Sequence, residues 1–451
     1  NNQGEPLWPV KNSTRMWLIV ALSSVLLQLG IGANVSTPLQ NNSWAFLVAG
    51  SKGFNNYRHQ ADICHAYHVM LAEGVPASQI IVMMYDDIAF HKDNPTPGVI
   101  INRPNGNNVY QGVKIDYKGK DVNAENFLNV LTGNKRAMRG VGTGRVIQSD
   151  ENTNLFVYFN DHGGPGVLCF PTDVLSAVRL EQALRKMNER KRYNKLIMYI
   201  EACYSGSMFD NILEENTNVF VMTAAARDES SFGAYCDYGI CLGNEFSVKW
   251  MEHMDSAHKG SFETFFHQYQ HIRTSVKQSH VQIYGDFSIG SFAMTPNHKT
   301  GQRLLEEDHE EGLYINSKRA PIHTLKFKIA KSNETSIKKK SQRDLHVLLK
   351  GRRIVDAMME RLVSEATADQ PQLRSTVSKT RMGLSKQVFP CYMELLKEFQ
   401  THCFGLEHEY LIHQYHKLAN ICVLRLDTSK LLGKLGRLCS PYKRAVSSPV
   451  L

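Results

Sequence analysis

Two short apolar runs in this chain each end in a residue that can do chemistry. Leu196–Ile200 is unbroken and stops at Glu201-Ala202-Cys203, followed by Ser205-Gly206-Ser207. A short apolar run closed by small residues reads as a strand buried on both faces. Leu155–Phe159 is a second run of this kind, ending in Asn160-Asp161-His162-Gly163-Gly164-Pro165-Gly166. Open α/β sheets place their chemistry at the carboxyl ends of strands. A thiol at one strand end and an imidazole at another can act as a pair, the imidazole taking the thiol's proton so that the thiolate can attack. Cys203 alone reads more readily as a buried thiol in a turn than as a nucleophile; the second strand end decides for the pair. Asp161 either orients the imidazole or caps the turn. The glycines after His162 admit a substrate backbone, and the amides of Gly163 and Cys203 are placed to steady an oxyanion. This chemistry is acyl transfer. Neither residue has a neighbour at metal-ligand spacing, so no metal or cofactor is expected.

The elements that must position this pair alternate. Trp44–Ala49 reads as a strand, followed by the loop Gly53–His59 and a helix to Glu73 with Ile63, Tyr67, Met70 and Leu71 on one face. Ile80–Tyr85 is the next strand. His91–Gly119 has no period and reads as a long loop. Helices are predicted around Val178–Arg190, Val248–Met254 and Phe262–Ser275, with a further strand at Val219–Ala225. Strands alternating with helices imply an α/β fold, a mostly parallel sheet wrapped by helices. Residues 297–342 are polar and charged and read as an exposed, cleavable linker. From Asp344 the pattern is helical, with Leu345, Leu348, Val355, Met359 and Leu362 on one stripe; Cys391–Phe404 and Tyr410–Leu426 read as two further helices.

Composition narrows the class. The 451 residues are 42% apolar and 21% charged, ordinary for a globular protein with more than one domain. The net charge of +9 is modest, and the basic run from Lys338 to Arg353 lacks interleaved aromatics, so no nucleic-acid partner is expected. After Met16, the apolar segment Trp17–Leu29 has signal-peptide length and is too short to span a bilayer. No later apolar stretch reaches spanning length, so no stable membrane insertion is expected. Asn34, Asn41 and Asn333 begin glycan-acceptor triplets. Nine cysteines in a secreted chain leave at least one thiol free. Cys391, Cys403, Cys422 and Cys439 suggest two bridges, Cys236 and Cys241 a small closed loop, and Cys64 and Cys169 inert core positions.

The stretches IEACYSGSMF, NDHGGPG, GFNNYRHQADICHAYH, MMYDD, NPTPG, INRPNG and NVYQGV together resemble the legumain family, asparaginyl endopeptidases among the caspase-like cysteine proteases. The resemblance runs from about Trp44 to Met294, and the THCF and four-cysteine pattern of the tail resembles that family's prodomain. It implies Cys203 as nucleophile, His162 as general base and acid, and Asn56 as the residue orienting the histidine. It implies Arg58, His59, Glu201, Ser230 and Ser231 as the lining of the pocket for the residue before the cleaved bond. A guanidinium and a carboxylate together complement a primary carboxamide. The family carries an aspartate where this chain has Asn244, which points to weaker discrimination against aspartate, with the neighbouring Glu245 expected to face solvent. With the apolar segment marking a leader over 1–33, the resemblance further implies a caspase-like peptidase domain over 34–296, an activation linker over 297–342 with the cleavage site Asn333 (Asn297 or Asn316 where a glycan on Asn333 blocks that bond), and a disulfide-stapled all-α prodomain over 343–451. It implies protein and peptide substrates, cystatin-type inhibitors as partners, an acidic endolysosomal, vacuolar or gut-lumen location, and a transpeptidase side activity. Two other readings stand beside it: a glycolipid-anchor transamidase, which shares the His-Gly-Gly turn, and a protease-fold binding protein without catalysis.

Overall fold

Six strands form the central sheet: β1 (Ser43–Ala49), β2 (Ile80–Met83), β3 (Asn154–Asn160), β7 (Lys195–Glu201), β8 (Val219–Thr223) and β11 (Gln282–Gly285), in the order β11-β8-β7-β3-β1-β2. All pairings are parallel except that of β11 with β8. The computed structural model describes residues 42–256, 263–292, 312–405 and 409–443. The leader Trp17–Leu29, Asn34, Asn41, Asn297 and the acidic run 306–311 lie outside the described residues. Among the described residues no helix is long and apolar enough to cross a membrane.

The strands are apolar throughout because both faces are covered. Their alternate residues feed two separate cores, as the twofold side-chain period requires. Ala45, Leu47, Phe156, Tyr158, Ile197 and Tyr199 join one core. It is covered by α1 (Tyr57–Ala72), α4 (Glu245–Ser256) and α5 (Phe265–Ser275). Phe46, Val48, Val157, Phe159, Met198 and Ile200 join the other, under α2 (Ala124–Leu131) and α3 (Ala177–Glu189). Asn123 and Ser176 cap these last two helices by accepting from Asn126 N and Arg179 N.

The carboxyl-terminal helices extend the second core. They are α6 (Ala320–Lys331), α7 (Thr335–Ala366), α8 (Arg374–Lys379), α9 (Phe389–His402), α10 (Glu409–Ile412), α11 (Tyr415–Val423), α12 (Thr428–Leu432) and α13 (Leu435–Lys443). Val355, Met359, Leu395, Phe399 and Leu418 belong to the same apolar cluster as the sheet. Disulfides Cys391–Cys422 and Cys403–Cys439 staple the tail, and Cys236–Cys241 closes a small loop. Cys64, Cys169 and Cys203 are free and buried.

Three expectations differ from this architecture. Tyr410–Leu426 is two helices, α10 and α11, not one. Residues 312–342 are not an open linker. β12 (Ile315–Asn316) pairs antiparallel with β9 (Phe232–Ala234), whose other neighbour is β10 (Gly243–Asn244). Ile315 packs against the Cys236–Cys241 bridge and Ala320. The lysine run that looked like linker forms the first turns of the 32-residue α7; lysine is a good helix former when its head group stays in water. Finally, Glu245 is buried, not solvent-facing, because its carboxylate accepts from Lys277 N and Gln278 N.

Candidate active site

Parallel pairing of β3 with β7 sets Asn160 opposite Glu201, so the two strand ends lie side by side in register. Asp161 N donates to Glu201 O as the strands part. A third small sheet, β4 (Gly163–Gly164), β5 (Val167–Cys169) and β6 (Val174–Ser176), folds the glycine turn back. A Cβ on Gly163 would stand 2.4 Å from Cys203 O, so only glycine lets the histidine loop close on the cysteine loop. Tyr204, directly after the thiol, has φ 57°, a left-handed conformation a tyrosine adopts only when its surroundings impose it.

The Cys203 thiol is buried and accepts from Ser231 N at 3.3 Å, with Ser231 Oγ at 3.7 Å. Burial raises its pKa, opposed by the Ser231 and Ser230 contacts and the Arg58 charge. His162 Nε2 is 2.9 Å from Asn56 Oδ1 and 3.3 Å from Glu409 Oε2. Asn56, in the turn before α1, donates its amide to Lys52 O and to Glu409 Oε1. Burial works to lower the His162 pKa, but the Glu409 and Asp161 charges raise it overall.

Asp161 makes no hydrogen bond to the His162 ring. Its carboxylate stands 3.4 Å from His59 Nδ1, which also meets Ser51 Oγ at 2.7 Å. Burial pushes Asp161 up to about 7, while burial and the neighbouring Arg58 and His162 hold His59 well below its ordinary value. His59, Asp161 and His162 bring ligand atoms within 4.8 Å of one another, a clustering that sequence spacing did not show. Arg58, whose charge helps to depress His59, opposes a second cation there.

Arg58 and Glu201, which the family resemblance assigns to the substrate pocket, are both buried. Arg58 is 1% exposed; its Nε donates to Asn244 Oδ1 at 3.0 Å, Nη1 to Asn55 O at 3.3 Å, and Nη2 has no partner. Glu201 Oε2 accepts from Ser247 N and Oγ, while Oε1 has no partner. Burial, followed by the charge of Asp62, raises Glu201 to about 8. Arg58 Nη2 is thus an unpartnered buried donor and Glu201 Oε1 an unpartnered buried acceptor, the kind of groups a bound ligand satisfies.

The structure brings Cys203, His162, Asn56, Gly163, Arg58, His59, Glu201, Ser230, Ser231 and Asn244 around one site. Asn333 stands apart, exposed in the turn between α6 and α7. Sequence reasoning missed Asp62, Asn160, Ser247, His413 and Glu409. Asp62 follows Arg58 by one helical turn, so spacing on α1 could have revealed it. Nothing near Glu409 in the chain hints at its contact with His162.

A thiol and an imidazole at adjacent ends of a parallel sheet, with an orienting amide, define a thiol-dependent acyl-transfer enzyme. Residues 43–299 match the model of the Peptidase C13 family, so this chain belongs to that family and is a cysteine endopeptidase acting on proteins. It is 38% identical to human legumain over 420 residues, covering 90% of this chain and 95% of that one. It is also 38% identical to the hemoglobinase of Schistosoma japonicum (88% and 93% covered) and to the delta-isozyme of the vacuolar-processing enzyme of Arabidopsis thaliana (88% and 90%). A caspase-1 structure from Spodoptera frugiperda aligns over 58% of this chain and 94% of its own at 9% identity and TM-score 0.35, a likeness too slight to bear on the fold.

Proposed function

We propose that this chain is the latent form of an endopeptidase that cleaves after asparagine and, less readily, after aspartate. The observation that supports the reading is the register of β3 and β7, in which Asn160 stands opposite Glu201 so that the strand ends leading to His162 and Cys203 are neighbours, with Asn56 Oδ1 on His162 Nε2. With Nε2 engaged, Nδ1 is left to take the thiol's proton. The thiolate Sγ attacks the substrate carbonyl carbon, and the amides of Gly163 and Cys203 steady the oxyanion. The C–N bond then breaks as His162 returns the proton to the leaving amine. Water resolves the thioester by the reverse sequence; an amine in its place gives transpeptidation.

In the pocket, Arg58 Nη2 would donate to the carboxamide oxygen of the substrate and Glu201 Oε1 would accept from its nitrogen. The unpartnered state of both atoms supports this. Ser230 and Ser231 lie against the Cys203 thiol, and the His59 ring meets that of His162 edge-on at 5.0 Å.

Two contacts support latency. Glu409 engages the His162 and Asn56 side chains. The strand pair β9–β12 with Ser317 N on Ser231 O lays residues 315–317 along the edge that leads to Cys203. An extended substrate would need that edge. The reading includes a secreted glycoprotein working in an acidic endolysosomal, vacuolar or gut compartment and open to cystatin-type inhibitors.

The test is turnover of an asparagine peptide by the acid-processed protein and its variants. Cys203→Ala and His162→Ala should each lose on the order of 10³-fold or more while melting at the natural temperature. Substantial turnover by Cys203→Ala would overturn the assignment.

A further inference from the structure

Behind the pocket, three side-chain amides converge on one buried carboxylate. Asp62 is fully buried. Its Oδ1 accepts Asn102 Nδ2 at 2.7 Å; its Oδ2 accepts Asn160 Nδ2 at 2.7 Å, Asn244 Nδ2 at 2.7 Å and Asn244 N at 3.1 Å. Asn244 Nδ2 spends its other hydrogen on Asn160 Oδ1 at 3.1 Å. Both amide hydrogens of Asn244 are therefore committed away from the pocket. Its oxygen is left facing Arg58 Nε.

This arrangement has only one workable orientation. Turning the Asn244 amide over would set its oxygen against the Asp62 carboxylate and its NH2 against a guanidinium, acceptor on acceptor and donor on donor. In a site this buried, each mismatch leaves a polar group unpaired. The Asp62 carboxylate thus fixes the amide, the amide oxygen holds Arg58 Nε, and the guanidinium plane is set with Nη2 left unpartnered, as Glu201 Oε1 also is. Because a guanidinium is planar, fixing Nε and Nη1 also fixes Nη2.

We infer that Asp62 is a positioning residue for substrate specificity, acting through Asn244 on Arg58. It carries the countercharge to Arg58 from one side chain further back than position 244. The inference rests on the proposed use of Arg58 and Glu201 as the pocket that reads a carboxamide. Moving the countercharge back leaves Asn244 neutral against the pocket, so a substrate carboxylate meets less repulsion than a carboxylate at 244 would impose. Asp62 touches no substrate atom.

The experiment compares, at pH 7, above the value of about 6 at which Asp62 ionises, kcat and KM of the acid-processed protein for two peptides that differ only in asparagine or aspartate at the cleaved position. It adds alkylation of Cys203 by iodoacetamide, which needs the thiol and not the pocket. Asp62→Asn removes the charge and turns one of the two acceptor oxygens into a donor, so Asn102, Asn160 and Asn244 can no longer all be accepted and the Asn244 amide loses its single orientation. We expect KM for the asparagine peptide to rise about tenfold or more, with kcat and the alkylation rate within a factor of about three. Asp62→Asn combined with Asn244→Asp returns a carboxylate, now directly against Arg58. It should recover most of the KM and discriminate more strongly against aspartate than the natural protein. A residue needed only for folding would lower kcat and alkylation together, and the second change would not rescue it; either result overturns the inference. Should Asp62→Asn fail to accumulate, Asn160→Ala removes the other acceptor of the Asn244 amide and should raise KM in the same direction, and an unchanged KM there overturns it as well. If the natural protein cleaves neither peptide, the carboxamide reading fails first and the inference falls with it.

Discussion

The carboxylate of Glu409 stands 3.3 Å from Nε2 of His162 and also accepts the Asn56 amide, joining residues 353 positions apart. Burial works to raise Glu409, yet the His162 charge and hydrogen bonds from His162 and Asn56 bring it down to about 2. The reciprocal shift on His162 is upward, as an ion pair requires. Glu409→Gln keeps the shape and removes the charge. Charge-assisted hydrogen bonds of this kind contribute roughly 1.5–3 kcal/mol, and the 31% exposure of the Glu409 side chain reduces that toward the lower end. Labelling of Cys203 in the intact chain at pH 7 by an asparagine-based electrophile should accelerate about tenfold. An unchanged rate would mean that the β12 segment alone closes the site.

This ion pair does not release the tail in mild acid. The depressed carboxylate stabilises docking above its ordinary value and loses that only as pH falls through about 4.5 toward 2. The raised imidazole contributes below about 6.5 and fades as pH rises through its docked value. Together they grip most firmly in weak acid. His413 works in the opposite sense. Burial, then the His162, Lys318 and Arg352 charges, hold it well below its ordinary value, so docking requires it neutral. Its contribution is complete above about 6.5 and drains as pH falls below that. His413→Gln, which cannot ionise, should move the midpoint of acid-induced Cys203 labelling downward by about one pH unit. Equal midpoints for the two proteins would remove His413 from the release.

At position 244 the structure alters what a carboxylate would do. Asn244→Asp would set a second carboxylate in the place of an amide 2.7 Å from Asp62, which burial already raises to about 6. Two carboxylates in contact share one proton until the pH forces it off. Groups with raised folded values lose stability as pH rises through them, so the variant should melt close to the natural protein at pH 5 and below it at pH 7.5. A shift of one to two pKa units costs about 1.4–2.7 kcal/mol, or roughly 3–8 °C in Tm. Equal melting at both values would mean that Asp62 is already protonated in the natural protein.

The sheet was legible because local pattern determines it, and the same pattern puts Cys203 and His162 just past two neighbouring strand ends. Leu155–Phe159 and Leu196–Ile200 are apolar because both faces are covered, and their ends name the chemistry. The proposed pocket rests on the resemblance alone at the level of sequence, since Arg58, Glu201 and Ser231 share no period. The direction of the Asn244 amide was not, because it depends on Asn160 and Asp62 from two other elements. Glu245 was misjudged for the same reason: charge suggests exposure, and only the amides of Lys277 and Gln278 make burial tolerable. The linker failed differently. Composition reads a lysine run as open chain, whereas α7 turns that run toward water and buries Leu348, Val355 and Met359 on its other side.

Acid processing should cut after Asn333. Ser332, Asn333 and Glu334 are all that separate α6 from α7, and Asn333 is exposed with no helix to unwind. Asn316, the other described asparagine of this region, is bound in β12, and its side chain accepts from Lys318 N. A peptidase needs about a half-dozen residues in extended form, and a short turn between helices reaches that by fraying one end, whereas a paired strand must first leave its sheet. Cleavage at Asn333 would leave α6 and β12 attached to the peptidase and free α7, which carries the rest of the tail with it. Asn333→Gln should therefore slow the appearance of the processed form at pH 4–5 at least tenfold and shift the residual cut elsewhere. Terminal sequencing of the product decides the matter. A natural product ending at Asn316, or processing of Asn333→Gln at the natural rate and position, would show that the turn between α6 and α7 is not the site.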